Sequence, residues 1–150
     1  MAEKAYYQCL FLAGSDAPFS GGVTQSITLF EFSFAARRGA NLTLPPFAEF
    51  ESSICSPTSY AESQPLGAEL RRAGVQAFRF RSARDPGRGV NVALLEPVFQ
   101  AKQPLSAERW ICTSTRERIE MKPGLIATGK PRTFARSLFE QAGVLPAPGI

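Results

Sequence analysis

Near the start of the chain, apolar side chains recur at helical spacing. Ala5, Cys9 and Leu12 fall on one stripe, so the pattern predicts a helix over residues 2–13 with a broad apolar face. Residues 14–22 contain glycine and proline and predict a connecting loop.

The next segment alternates at the period of a β-strand. Residues 23–36 place Phe30, Phe32 and Phe34 on one face, and the opposite face carries Glu31. Because three phenylalanines share a face, we expect that face to meet the core and the Glu31 face to be partly exposed.

The middle of the chain combines a helix with two strands. Residues 61–73 carry an apolar stripe at helical spacing, and Gly74 is suited to end that helix. Residues 75–80 and 90–95 predict two strands that flank a polar, glycine-containing turn over residues 81–89. Helix, strand, turn and strand in this order indicate an α+β fold.

The last third gives weaker signals. Residues 110–115 predict a strand, and residues 116–121 extend it or pair with it. Residues 123–130 read as a Pro/Gly linker, and residues 132–142 predict a short amphipathic helix. The expected organisation is one domain over residues 1–122, followed by a linker and a short helical tail over residues 123–150.

Composition fits a single globular domain with a real core, since 44% of the 150 residues are hydrophobic and 20% are charged. No window approaches the roughly 18 apolar residues of a membrane span, and the N-terminus lacks the features of a secretory signal. We therefore expect a cytoplasmic protein without a membrane partner.

Cysteine and histidine usage narrows the chemistry. The three widely spaced cysteines and the absence of histidine argue against a disulfide framework, a metal site and histidine-based catalysis. The net charge is +4, and 13 of the 17 basic residues are arginine, which favours an anionic partner. An ordinary solvated surface explains the charge equally well, so direct nucleic-acid binding is not the expected function.

The turn over residues 81–89 holds most of the candidate chemistry. Strand alternation sets Phe78 and Phe80 on one face and presents Ser82 and Arg84 where the chain turns. Hydroxyl, guanidinium and free backbone N–H groups together would suit a phosphate or pyrophosphate. The alternative is a hairpin whose polar tip lies in water.

These residues also resemble a known family. Ser82-Ala-Arg-Asp-Pro, with Phe80 before it and Asn91-Val-Ala-Leu-Leu-Glu-Pro after it, is similar to the distal motif of RES-domain proteins. Ala2-Glu-Lys-Ala-Tyr-Tyr resembles the helix that carries the family's glutamate, and Tyr60-Ala-Glu-Ser-Gln-Pro-Leu-Gly resembles the helix before the serine. The resemblance runs from about residue 2 to residue 121.

The resemblance implies an ADP-ribosyltransferase-like fold of mixed and antiparallel sheets with flanking helices. It implies NAD as the substrate, with Glu3 and Ser82 catalytic and with Ser82, Arg84 and Asn91 binding NAD. The implied reaction cleaves the nicotinamide glycosidic bond and passes ADP-ribose to phosphate, water or a protein. Members are commonly toxins neutralised by an Xre-type antitoxin.

One feature of the family pattern has no counterpart in this sequence. The family's arginine lies upstream of its glutamate, so the sequence resembles a RES domain that begins at its glutamate helix and is N-terminally incomplete. The alternative function is therefore a catalytically inactive module that docks an Xre-type antitoxin, and RNA binding is a weaker alternative. Homo-oligomerisation and the acceptor of ADP-ribose stay open.

Overall fold

The structure, a computed structural model, describes residues 1–15 and 21–147. Over these residues the chain combines helices and strands, which confirms the α+β prediction. None of the helices in this part of the chain is long and apolar enough to cross a membrane. The elements are α1 (Ala2–Ala13), β1 (Val23–Glu31), β2 (Gly39–Asn41), α2 (Glu51–Ile54), α3 (Ser63–Arg72), β3 (Ala77–Arg81), β4 (Val90–Leu94), β5 (Ser106–Ser114), β6 (Arg118–Pro123) and β7 (Arg132–Ala135).

The strands form two sheets in two compact units. The first unit, Met1–Phe32 with Gln103–Pro146, holds α1 and an antiparallel sheet of order β1-β5-β6-β7. The second unit is built from Ser33–Lys102 and holds α2, α3 and a mixed sheet of order β2-β3-β4. In that sheet β2 is parallel to β3, and β3 is antiparallel to β4.

The core of the first unit forms around the predicted N-terminal helix. The apolar stripe of Ala5, Cys9 and Leu12 is buried, as expected, and Tyr6 is buried beside it. The Tyr6 hydroxyl donates to the carbonyl oxygen of Pro146, so the end of this unit is tied to α1. The helix and sheet enclose a cluster that includes Trp110, Cys112, Ile119, Met121 and Phe139.

The predicted orientation of β1 is wrong. Val23 and Ile27 pack against the core, whereas Phe30 is 58% exposed. Ile27 lies opposite Trp110 in the β1–β5 register, and the Trp110 indole is buried, so this register turns the Ile27 face inward. Regular pairing ends at Glu31, before the predicted end of the strand.

The predicted helix over residues 132–142 is also wrong. Residues Arg132–Ala135 form β7, which pairs with β6 and sets Phe134 opposite Ile119. Only a short 3₁₀ turn, Arg136–Leu138, follows it. The spacing of apolar residues here suited a helix, but pairing with β6 satisfies the backbone and buries the same side chains, so tertiary context decides.

In the second unit, the helix before the hairpin ends as predicted. Gly74 has φ +68°, a left-handed conformation that glycine adopts without steric cost. Its N–H donates to Arg71 O at 2.9 Å, and the N–H of Val75 donates to Leu70 O at 2.9 Å. This pair of bonds is the Schellman motif, which closes α3 and directs the chain into β3.

Two features of the second unit were not predicted. A 3₁₀ turn over Phe47–Phe50 leads directly into α2. The strand β2, which is only three residues long, pairs with β3. The predicted strands on either side of the polar turn are confirmed as β3 and β4.

The loop between β6 and β7 is held against β5 by one carboxylate. Glu108 accepts the Trp110 Nε1–H at 3.1 Å and, on its other oxygen, the Thr128 hydroxyl at 3.2 Å. The hydrogen bond from Trp110, followed by those from Thr128, lowers the pKa of Glu108. Gly129, the next residue of the loop, lies against the Trp110 ring.

The Gly129→Ala substitution tests this packing. A Cβ at Gly129 would lie 2.3 Å from Cζ2 of Trp110, a ring that is 2% exposed, so one of the two must move. We expect the free energy of unfolding to fall by about 1–3 kcal/mol, measured by urea denaturation. The matched control is Gly67→Ala in α3, where a Cβ meets nothing within 4 Å. That control should raise stability by about 0.5–1 kcal/mol. Wild-type stability in Gly129→Ala would contradict the packing.

Candidate functional site

The turn between β3 and β4 is the best-defined polar feature of the second unit. The Ser82 N–H donates to the carbonyl oxygen of Gly89 at 2.8 Å, which extends the strand pairing by one step. The Ser82 Oγ accepts the N–H of Arg84 at 3.2 Å and the N–H of Asp85 at 3.0 Å. A serine hydroxyl forms such bonds because it reaches the backbone two or three residues further along. Ser82 thus shapes the turn, and it is only 2% exposed.

Asp85 fixes the second half of the turn. Its Oδ1 accepts the Gly87 N–H at 3.1 Å, and its Oδ2 accepts the Gly89 N–H at 3.2 Å. Its carbonyl oxygen accepts the Arg88 N–H at 2.8 Å. Arg88 has φ +51°, an unusual conformation for a residue with a side chain, and these bonds hold it there.

Glu51, at the start of α2, connects the turn to a distant part of the chain. Its Oε1 accepts both Nε and Nη2 of Arg88, at 3.1 and 2.6 Å. Its Oε2 lies 3.9 Å from Nε of Arg81. These side chains are about one third exposed, so the ion pairs add little to the free energy of unfolding. Their main effect is to orient the arginine side chains of the turn.

Arg84 is turned inward rather than into solvent. The residue is 7% exposed, and its Nη1 donates to the carbonyl oxygen of Pro57 at 2.5 Å. This bond joins the turn to the loop between α2 and α3. Burial of a guanidinium is costly unless its donors are satisfied, so the Arg84 position is strongly defined.

Asn91 shares a face of the hairpin with Ser82. It lies opposite Phe80 in the β3–β4 register, and Ser82 lies opposite Gly89. Residues that lie opposite each other on paired strands project to the same face of the sheet, and so does every second residue along one strand. Ser82, Phe80 and Asn91 therefore project to one face. Arg79 and Arg81, at the alternate positions of β3, project to the other face.

The structure therefore brings three of the four predicted site residues together. Ser82 and Arg84 lie in one turn, and Asn91 follows on β4. Glu3 belongs to the first unit, in the first turn of α1, where it is partly buried.

One expectation about the turn is wrong. The sequence predicted free backbone N–H groups that could bind a phosphate, but the turn uses them itself. Since Ser82 and Asp85 supply the acceptors, the loop is not an open anion-binding nest. The N–H groups that donate within the turn are those of Ser82, Arg84, Asp85, Gly87, Arg88 and Gly89.

This geometry limits what Ser82 can do chemically. Its oxygen accepts the N–H groups of Arg84 and Asp85, so its two lone pairs are engaged within the turn. The Asp85 carboxylate is engaged by amides rather than placed as a base, and the sequence has no histidine. Asp85 is thus not placed to activate Ser82 as a nucleophile.

Other chemistry in the described residues is sparse. Cys55 is buried at the end of α2, and burial raises the pKa of its thiol, although the Arg81 N–H and the Arg88 charge act in the opposite direction. A buried thiol with a raised pKa is unreactive. Across residues 1–15 and 21–147, no three His, Cys, Asp or Glu side chains gather as metal ligands would.

Sequence reasoning missed the roles of Asp85 and Glu51. Asp85 could have been found, because Asp-Pro-Gly after a strand is typical of a turn in which the aspartate bonds its own backbone. Glu51 carried no such signal, since it is 37 residues from the Arg88 that it binds.

Comparison with family models finds a match that covers most of the chain. The family model described as the RES domain matches residues 1–114. That is 114 of the chain's 150 residues, and the match includes Glu3, Ser82, Arg84 and Asn91. A search of the curated proteins finds no match.

The Asp85→Ala substitution should loosen the turn without removing Ser82. Two amides lose a charged acceptor, so we expect the free energy of unfolding to fall by about 1–3 kcal/mol. Hydrogen exchange at the Gly87 and Gly89 amides should accelerate, as measured by NMR. Asp85→Asn, which keeps one carbonyl acceptor, should show a smaller effect. Unchanged exchange in Asp85→Ala would refute this account of the turn.

Proposed function

As the chain belongs to the RES-domain family, we propose that it binds NAD and cleaves the glycosidic bond to nicotinamide. ADP-ribose then passes to phosphate, water or a protein, and the protein acts as a toxin controlled by an Xre-type antitoxin. The observation that carries the proposal is the Ser82 turn, which is internally bonded, keeps Ser82 and Arg84 buried, and lies inside the family match. A turn fixed in this way costs no reorganisation when substrate binds, which is what transition-state stabilisation requires.

Ser82 is proposed to hydrogen-bond the nicotinamide ribose or the nicotinamide amide. Its oxygen accepts two amides of the turn, so the turn fixes the position of the side chain. A side chain that is held in place orients the ribose for bond cleavage rather than attacking it.

Glu3 is proposed to stabilise the positive charge that develops on the ribose. Cleavage breaks the bond between ribose C1′ and the nicotinamide nitrogen, and the bonding electrons leave with neutral nicotinamide. The ribose becomes oxocarbenium-like, a state that a carboxylate stabilises. An acceptor oxygen then bonds to C1′, and its proton is released to solvent or to Glu3.

Arg84 and Asn91 are proposed to bind the rest of NAD. A guanidinium matches the charge and geometry of a pyrophosphate, and a carboxamide can both donate and accept hydrogen bonds. The Arg84 Nη1 donates to the carbonyl oxygen of Pro57, which fixes the guanidinium beside the turn.

The proposal is tested by incubating purified protein with NAD and quantifying free nicotinamide by chromatography. Release that depends on inorganic phosphate identifies phosphate as the acceptor, and release without phosphate identifies hydrolysis. If NAD is neither consumed nor bound by calorimetry, the enzyme proposal fails, and docking of an Xre-type antitoxin becomes the better reading.

Ser82→Ala should lower the rate of NAD consumption by about 10²–10³-fold, because one fixed hydrogen-bonding group is lost. The same change also removes two bonds of the turn. Asp85→Ala separates the two effects, since it weakens the turn and keeps the hydroxyl. A much larger loss in Ser82→Ala than in Asp85→Ala supports a direct role, and equal losses would show that only the shape of the turn matters.

Glu3→Gln should reduce NAD consumption by a similar factor with little effect on stability, because the amide keeps the shape of the side chain but not its charge. Glu117→Gln, an exposed position between β5 and β6, is the matched control and should retain full activity. Initial rates at saturating NAD measure both variants. Wild-type activity in Glu3→Gln would remove Glu3 from the mechanism.

A further inference from the structure

The strand that carries Asn91 is an edge of its sheet. β4 pairs with β3 on one side, and the sheet order places no strand on its other side among the described residues. Val90 and Val92 are 48% and 41% exposed. An edge with exposed apolar side chains is a template for another strand.

The hydrogen bonds at the two ends of the hairpin show which backbone groups face this edge. Ser82 N–H donates to Gly89 O, and Leu95 N–H donates to Gln76 O, each at 2.8 Å. Hydrogen-bonded pairs alternate along an antiparallel ladder, so Asn91 and Ala93 bond to β3. The N–H and C=O groups of Val90, Val92 and Leu94 therefore point outward.

The sequence of β4 lacks the features that normally prevent an edge strand from pairing with another chain. Val-Asn-Val-Ala-Leu contains no charged residue and no proline, and it is not bulged in its pairing with β3. The opposite edge strand, β2, is only three residues long. β4 is thus the better suited of the two edges of this sheet for pairing.

We propose that two copies of this chain associate through β4, antiparallel about a two-fold axis at Val92. Val92 lies opposite Val92 of the second copy, and Val90 lies opposite Leu94 of the second copy. The two three-stranded sheets then join into one continuous sheet of six strands. The interface is closed, since each copy uses its only β4.

The partner strand is β4 of a second copy because the edge of β4 is complementary to itself. In this register the outward groups of Val90, Val92 and Leu94 meet the same groups of the other strand, so every donor finds an acceptor. Apolar side chains meet apolar side chains on the Val92 face. Two residues beyond the ends of β4, Arg88 lies opposite Glu96 of the second copy. The charges that face each other at the ends of the interface are therefore of opposite sign.

Sedimentation of the whole chain over a range of concentrations tests the proposal. We expect a dimer for the wild type and a monomer for Val92→Lys and for Val92→Glu, because like charges would face each other at the axis. An equimolar mixture of these two variants should restore the dimer, since opposite charges then meet. Recovery in the mixture also shows that both variants fold.

The control is Ser26→Lys, an exposed position on β1 in the other sheet, which should stay dimeric. A wild type that is monomeric at every concentration overturns the proposal. A dimer that persists in Val92→Lys, or larger open assemblies in place of a dimer, overturns it equally.

Cysteine cross-linking tests the register. Cα atoms of a hydrogen-bonded antiparallel pair lie about 5.5 Å apart, within disulfide range. Mild oxidation should therefore link Val92→Cys to itself, while Val90→Cys should stay unlinked, because its copies would be offset by about 13 Å along the strands. The three native cysteines are buried, so they should not compete. Equal linking of both variants would exclude this register.

Discussion

Four backbone amides that donate to the side chains of Ser82 and Asp85 determine how β3 becomes β4. Without these acceptors, a turn of this length would leave its N–H groups to water or to a ligand, and the register of the hairpin would be less defined. The hydrogen bonds also set which face carries Asn91 and which backbone groups of β4 point away from β3. The geometry of the candidate site and that of the sheet edge thus share one origin.

The parts of the fold that were predictable depend on local signals. The helix that carries Glu3 follows from helical spacing over about three turns, and α3 ends where Gly74 allows a left-handed residue. The hairpin follows from two short apolar runs around a turn rich in Gly, Asp and Ser. Three site residues could be placed on that hairpin because alternation fixes the face of each position.

The parts that were not predictable depend on partners far away in the sequence. Alternation showed that β1 has two faces, but the burial of Trp110 on β5 decides which one is inside. Likewise, Phe134 can be buried by a helix or by a strand, and the pairing of β7 with β6 selects the strand. The Glu51 clamp on Arg88 joins segments whose proximity exists only in the folded chain. Contacts between residues that are far apart in the sequence produce no periodic pattern from which they could be predicted.

Trp110 has a consequence for spectroscopy. It is the only tryptophan in the chain, and it is buried in the first unit with its indole N–H bonded to Glu108. Its fluorescence therefore monitors the core of the first unit. If the two units melt separately, emission and far-ultraviolet circular dichroism will give different midpoints, which would reveal a second transition that fluorescence alone would hide.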